Sequence, residues 1–523
     1  MYYKNPEKED CNKNITMKKF IIWLTVLNAV SKFLGFFREI VLSYFYGASE
    51  VSDAYLISIT IPGVIFAFVG AALSTSYIPL FTSAERERGA EEAIRFSNNA
   101  VNFLLIFACL VAIVGLIFTR GIVKVFASGF SGQTLGLAVF FTRVSIVAVF
   151  FTGLTYIFKS FLEVRSSFIP PTCVGFPYNI IVIFSIALGV SINDVFLPLG
   201  FVLAAASQLL LLLPFAYKRG YRYYLTLDKS DPYIRKMVFL ALPVILGVSV
   251  GQINVLVDRT LASRIVEGGI SALNYASRLN GFNQGIFVMS VATVMFPVIS
   301  KMASAGNIVG LKGTLTKAIN LVSIIVIPLT VGAMIFAVPV IKFLFGRGAF
   351  DLKAVDLTST ALFYYAAGMT AVAYREILSR VFYAMHDTKT PMVNGVIAVV
   401  VNIILNIILS RFLGIGGLAL ATSISAILAV GLMFISLRKK IGPFGIKNIV
   451  NTLGKITLAS AVMGVFAEFV FDFALPKVGN NWAFLAATVA GASLYGVMIC
   501  FMKIKEVEII MAEIKVVFGR LLR

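Results

Sequence analysis

Charge is what this 523-residue sequence has least of. Asp, Glu, Lys and Arg together make up 13% of it, against 59% hydrophobic residues. Soluble domains run at about 25% charged and about 45–50% apolar, so a water-soluble globular chain is excluded, and so is a disordered one. Histidine is nearly absent: His386 stands alone. Of the four cysteines, Cys11 lies in a polar N-terminal stretch, and Cys109, Cys173 and Cys500 lie within or at the ends of apolar runs, so no disulfide framework is indicated. There is no G-x-x-x-x-G-K-S or -T loop to cradle ATP, no H-E-x-x-H and no clustered metal ligands. These absences argue against an enzyme and an ATP-driven pump, and no cofactor is expected. Acidic residues are the scarcer sign, 25 against 45 basic, for a formal net charge of +20. Nucleic acid is a poor explanation of that excess in so apolar a chain. Basic cytoplasmic loops on a bilayer-embedded protein explain the charge and the composition together.

What is present is a succession of long apolar runs. Fourteen candidate spans lie at about 19–47, 53–82, 93–119, 134–158, 168–191, 195–217, 234–264, 270–300, 314–345, 356–385, 390–412, 415–437, 448–471 and 480–503. Residues 1–16 are too polar for a cleaved signal peptide. With the N-terminus inside, cytoplasmic segments hold 30 of the 45 basic residues and external ones 8. The positive-inside bias therefore places both termini in the cytoplasm. Seven basic residues remain inside spans: Lys32, Arg38, Arg143, Arg259, Arg278, Arg375 and Arg380.

The chain reads as all-α and polytopic, built from two six-helix halves related as parallel repeats, with two helices added at the C-terminus. At an offset of 218, Ala54, Gly63, Thr75 and Pro79 of span 2 fall opposite Ala272, Gly281, Thr293 and Pro297 of span 8. Six spans separate the copies, so both enter the membrane the same way, and such transporters bind substrate at the interface of the halves. The expected organisation is a tail (1–18), an N-terminal lobe (19–217), a basic linker (218–233), a C-terminal lobe (234–437), two added spans (438–505) and a second tail (506–523).

An ionised side chain at the centre of a bilayer costs about 2.5–3.5 kcal/mol on insertion scales, so each needs a partner or a wet cavity. In span 1, Ser31 and Arg38 share one helical stripe, and Lys32 and Glu39 the next. Span 7 carries Gln252 and Arg259 on one stripe and Asn254 and Asp258 on another. Span 8 carries Asn274, Ser277, Arg278, Gly281 and Gly285 along one small, polar face. Arg38, Asp258 and Arg278 lie about 9–14 Å from the predicted outer ends, at about 1.5 Å per residue. Lys32, Arg38, Arg259 and Arg278 outnumber Glu39 and Asp258 by two. That excess favours a hydrated, anion-binding cavity over a purely structural ion-pair network, and guanidinium suits phosphate oxygens. Glu376 and Arg380 are spaced to pair with each other. A fainter constellation joins Asp258 to Asn402, Asn406 and Thr422, whose oxygens would suit Na⁺. The competing role for the amides is interhelical hydrogen bonding.

Several stretches resemble the MurJ (MviN) family: SKFLGFFREIVLSYFYGASEVSDAY in spans 1–2, YASRLNGFNQGIF in span 8, LFGRGAF after span 9 and RVFYAMHDTKTP closing span 10. These are lipid II flippases of the multidrug/oligosaccharidyl-lipid/polysaccharide exporter superfamily. The resemblance covers spans 1–12 in order. It implies translocation of undecaprenyl-diphosphate-linked disaccharide-pentapeptide, by a monomer in the bacterial cytoplasmic membrane, with the polyprenyl tail guided beside spans 13 and 14. By motif, Arg38 and Arg278 match arginines of the family's central cavity, and Asp53 matches the acidic residue that opens span 2. Lys32 stands where the family often has arginine, and no arginine follows Ile61-Pro62. Alternatives are export of another polyprenyl-diphosphate-linked saccharide, or cation-coupled drug antiport on the same fold.

Overall fold

The computed structural model describes residues 6–508, with side chains from Trp23 onward apart from those of Asn283, Ile286 and Ile446. Among the described residues every regular element is helical. In order these are α1 (Pro6–Tyr46), α2 (Glu50–Arg88), α3 (Ala90–Ile117), α4 (Thr119–Phe126), α5 (Gly132–Ser145), α6 (Ala148–Val164), α7 (Ile169–Cys173), α8 (Gly175–Ser191), α9 (Phe196–Lys218), α10 (Pro232–Ile265), α11 (Gly269–Asn283), α12 (Met289–Ser304), α13 (Ile308–Ile335), α14 (Ala337–Leu344), α15 (Leu352–Ala384), α16 (Lys389–Ile441) and α17 (Ile446–Phe501). A π-helical turn, Gln284–Val288, joins α11 to α12.

The fourteen predicted spans map onto these helices in order. Eight segments are long and apolar enough to cross a bilayer by themselves: α2, α3, α7 with α8, α9, α10, α13, α16 and α17. Two of them are double. Helical geometry breaks at Gly414 in α16 (φ 54°, ψ −129°) and at Gly479 in α17 (φ 75°, ψ 170°). The two arms of α16 lie antiparallel, since Asn402 meets Thr422 across the break. The pair α5 and α6, bent by 43°, supplies another span. The remaining three are α1, α11 with α12, and α15, which carry the charges of spans 1, 8 and 10. α1 already begins at Pro6, inside the predicted N-terminal tail, with proline at a position suited to starting a helix. Residues 1–5 and 509–523, the ends of the two predicted tails, lie outside the described residues.

The chain forms two compact units, one up to Arg264 and one from Ile265. Sequence placed the division in the linker near 218–233, whereas α10 belongs with the first unit. The reason is local hydrogen bonding at its C-terminal end. Thr260 Oγ1 donates to the Val125 carbonyl (2.8 Å), the Gly129 N–H donates to Ser263 Oγ (3.0 Å), and Arg264 Nε donates to Ser128 Oγ (2.6 Å). The core of the first unit is the aromatic and aliphatic set around Tyr77, Phe81, Phe96, Phe161 and Tyr221. In the second unit, Ile456, Ala459 and Met463 of α17 pack on Ile324 and Ile327 of α13.

Stretches of backbone in the first unit recur in the second. α3 and α13 are both 28 residues long and α4 and α14 both eight, at an offset of 218. Phe118 (φ −99°, ψ 17°) and Phe336 (φ −100°, ψ 26°) make the same break between them. Two extra residues in the loop after α14 move the offset to 220. There, Ser166 (φ 55°) and His386 (φ 58°) close the helices they follow. The Ser167 N–H donates to the Leu162 carbonyl (2.8 Å) and that of Asp387 to the Phe382 carbonyl (2.9 Å), the same Schellman turn in both copies. The copies differ where α2 runs unbroken and its counterpart contains the π turn, a feature common at functional sites.

At the second of these turns Asp387 accepts from Lys440 Nζ (2.7 Å) and from the Thr390 N–H (2.9 Å) and hydroxyl (2.8 Å). The Lys440 hydrogen bond, then the Thr390 N–H, hold its carboxyl down to about 2 from an ordinary 3.8. A carboxyl depressed by folding stabilises above its unfolded pKa and loses that contribution as pH falls through the folded value. The thermal midpoint of the wild type therefore exceeds that of Asp387→Asn above about pH 4, and the gap closes towards pH 2. A gap independent of pH over that range would contradict the assignment.

Candidate functional site

In the first unit α1 is held against α8. Small residues let the two helices close: Gly35 faces the Asn179 amide, and a Cβ at Gly175 would run into the Ser31 hydroxyl. Arg38, on the α1 stripe that also holds Ser31, reaches Asn179 Oδ1 with Nη1 (3.2 Å) and Glu39 Oε1 with Nη2 (2.7 Å). Its guanidinium carbon lies 5.6 Å from the centre of the Tyr178 ring, within cation–π range. The Asn179 amide is itself oriented, because Nδ2 donates to the Gly175 carbonyl (2.8 Å) and leaves Oδ1 for the arginine. Glu39 and Asn179 are buried, while the Arg38 side chain keeps 16% of its surface exposed. Two of its five N–H groups are engaged in these bonds, so the fork is oriented with donors remaining for an anion.

The other predicted residues lie elsewhere on α1, α2 and α10 of the first unit or in the second unit. Lys32 is exposed on α1, two turns before Arg38. Asp53 is 1% exposed in the first turn of α2, where the helix dipole favours a carboxylate, behind a reciprocal Ser49–Ser52 cap. On α10, Asp258 and Arg259 are half-buried, and Asn254 Nδ2 donates to Asp258 Oδ2 (3.3 Å). Arg278 and Ser277 are exposed on α11 while Asn274 is buried. The buried Tyr275 beside them packs on Phe345 (5.3 Å) and Phe350 (5.7 Å). The LFGRGAF stretch thus packs on α11 through Tyr275, in the turn before the exposed Arg278. One turn further on, Asn280, Gln284 and Val288 line a small cavity with Val326, Leu329 and Met369.

Asn402, Asn406 and Thr422 do come together in the second unit. Asn402 Nδ2 donates to Thr422 Oγ1 (3.4 Å) and Ser425 Oγ (3.3 Å), and Asn406 Nδ2 donates to Asn402 Oδ1 (2.9 Å). The two bonds from Asn402 tie the arms of α16, and that from Asn406 orients the Asn402 amide. Asp258, their predicted companion, belongs to the first unit. Glu376 and Arg380 pair with each other at 3.0 Å. Among the described residues no group of three His, Cys, Asp or Glu is placed to hold a metal ion.

The residues that sequence reasoning missed are Tyr178 and Asn179. Their signal was present: Asn179 is a lone amide inside the apolar run 168–191. A search for charge alone passes over it.

The model of the lipid II flippase MurJ family matches residues 42–487 of this chain. A probable lipid II flippase MurJ of Thermotoga maritima is 29% identical over 481 residues, covering 91% of this chain and 95% of that protein. One from Vibrio cholerae is 28% identical over 456 residues, covering 84% and 87%. Among solved structures, lipid II flippase MurJ in an inward closed conformation superposes with a TM-score of 0.81 at 28% identity, covering 92% of this chain and 98% of that one. An inward-facing multidrug MATE transporter of the MOP superfamily matches at 0.67 and 15% identity, covering 79% and 98%, and shares the fold. With the family model matching from the last turn of α1 through most of α17, this chain belongs to the lipid II flippase MurJ family.

Proposed function

We propose that this protein carries lipid II from the cytoplasmic to the outer leaflet of the bacterial cytoplasmic membrane, as a flippase and not as an enzyme. The observation that carries this reading is family membership over residues 42–487. The physical task is to take a diphosphate and its sugars through hydrocarbon while the polyprenyl tail stays in lipid. Arg38, oriented by Glu39, Asn179 and Tyr178, offers a fixed fork for phosphate oxygens, and Arg278, exposed on α11, offers a second cation. Alternating access lets such groups be reached from one leaflet at a time. Both termini lie in the cytoplasm and the working unit is a monomer. An inside-negative potential then favours outward movement of the anionic head group by about 2.3 kcal/mol per charge per 100 mV.

Proteoliposomes loaded with lipid II test this directly. Imposing an inside-negative potential raises the rate at which lipid II becomes accessible on the outer face, and collapsing it lowers the rate. A rate no greater than that of protein-free vesicles contradicts flipping. Coupling to Na⁺ is part of the same proposal. Na⁺ raises the thermal midpoint of the purified protein, and Asp258→Ala loses that rise. A midpoint unmoved by Na⁺ in both forms removes the cation from the cycle.

A further inference from the structure

The segment between α9 and α10, which the sequence presents as a linker, is bound along its length to one face of α3. Three buried asparagines do this, Asn98, Asn99 and Asn102. Asn98 Nδ2 donates to the Arg222 carbonyl (2.9 Å), Asn102 Nδ2 to the Thr226 carbonyl (2.7 Å) and Asn99 Nδ2 to the Asp228 carbonyl (2.9 Å). The Asp228 N–H donates back to Asn99 Oδ1 (3.0 Å). Tyr221 and Tyr223 hydroxyls donate to Asn98 Oδ1 (2.6 Å) and Asn102 Oδ1 (2.8 Å). Asp231 then caps α10 through the Tyr233 N–H (2.8 Å). The strap backbone is therefore pinned to α3, which sets the side from which its outward side chains project.

Its depth follows from α3. Asn98 lies 19 residues before Ile117, the last residue of α3, which is about 29 Å at 1.5 Å per residue. The hydrocarbon core of a bilayer is about 30 Å thick. Between these points α3 exposes Ile106, Phe107, Leu110, Ile113, Val114 and Ile117, an apolar face suited to acyl chains. The strap thus crosses α3 where hydrocarbon gives way to head groups. What it presents there is mixed in the way an interface requires: Tyr223, Tyr224, Leu225 and Leu227 are exposed, Leu225 by 82%. Arg219, Arg222, Lys229, Arg235 and Lys236 are exposed around them. Of the acidic groups, Asp231 is buried against Asn99 (3.0 Å), and Asp228, at the surface, is paired with Arg95 (3.2 Å). Tyrosine is enriched at membrane interfaces, and clustered basic residues at the cytoplasmic surface attract anionic lipid.

We propose that residues 218–229 form an interfacial strap that inserts Tyr224 and Leu225 among the acyl chains and, together with Lys236 at the start of α10, binds anionic phospholipid head groups of the cytoplasmic leaflet through Arg219 and Lys229. This site is separate from the arginines assigned to lipid II and does not depend on that assignment. The protein has two tryptophans, Trp23 and Trp482, so a single reporter is made by L225W on a W23F/W482F background. The full chain is reconstituted, without lipid II, in phosphatidylcholine vesicles. Equal mole fractions of brominated phosphatidylglycerol or brominated phosphatidylcholine serve as quenchers. The reporter at position 225 is quenched by both, and roughly threefold more by the phosphatidylglycerol. Adding R219Q, K229Q and K236Q removes that excess and keeps the shared quenching. Quenching by neither lipid places the strap in water and overturns the proposal. Equal quenching by the two, with native-like circular dichroism, overturns its anionic preference.

Discussion

Alanine at both Arg38 and Arg278 lowers lipid II export by roughly 10²–10⁴-fold, on the basis that a hydrogen bond to a charged group contributes about 1.5–3 kcal/mol. The effect is large because the two side chains are presented, and not merely present. Arg38 is gripped on two edges, by Glu39 at 2.7 Å and Asn179 at 3.2 Å, so its fork is oriented before any ligand arrives. Lysine at position 38 keeps the charge and loses the fork, and its export rate falls between those of alanine and wild type. Removing the guanidinium also takes a cation from buried Glu39, so the yield of folded protein must be measured beside transport. Wild-type export by the folded double variant would dismiss both residues as ligands.

Gly417→Ala is expected to damage folding severely. The chain reverses inside α16 at Gly414, whose φ of 54° and ψ of −129° lie in a region essentially reserved for glycine. Three residues later, a Cβ on Gly417 would collide with the carbonyl of Leu409. Backbone cannot swing aside as a side chain can, so the two arms must part. Parting them breaks the Asn402–Thr422 and Asn402–Ser425 bonds as well. A loss of about 3 kcal/mol or more follows, seen as a fall in thermal midpoint or in the yield of folded protein. Gly431→Ala is the control. It lies in the same helix with nothing within 4 Å of its Cβ position, and alanine there is expected to be neutral or to stabilise by about 0.5–1 kcal/mol. Equal behaviour of the two variants would refute the reading of the turn.

The long-wavelength features of this fold were legible in the sequence. Burial of the backbone in lipid demands helices of about 20 apolar residues, so apolar runs alone mark the fourteen spans. The 218-residue offset between spans 2 and 8 carries through to α3 and α13, and to α4 and α14. The shorter-range features were not legible. Hydropathy averages over a window, so it blurs the 43° bend between α5 and α6 and the π turn at Gln284–Val288. Arg38 and Arg278 stood out because charge is rare here. Asn179 did not, because an amide costs little until its partner is known. The basic linker was plain in the sequence, but nothing there marked the α3 asparagines as its partners. Their pairing joins residues more than 120 apart, and no local period encodes it.

The central claim is that this chain moves lipid II between leaflets by means of oriented cationic side chains. Its most direct test is leaflet-specific labelling of lipid II in bacterial cells depleted of their own flippase and supplied with this protein. The account predicts that the wild-type chain restores outer-leaflet lipid II, and that folded Arg38→Ala/Arg278→Ala leaves it in the inner leaflet. An unchanged leaflet distribution on adding the wild-type chain would contradict it.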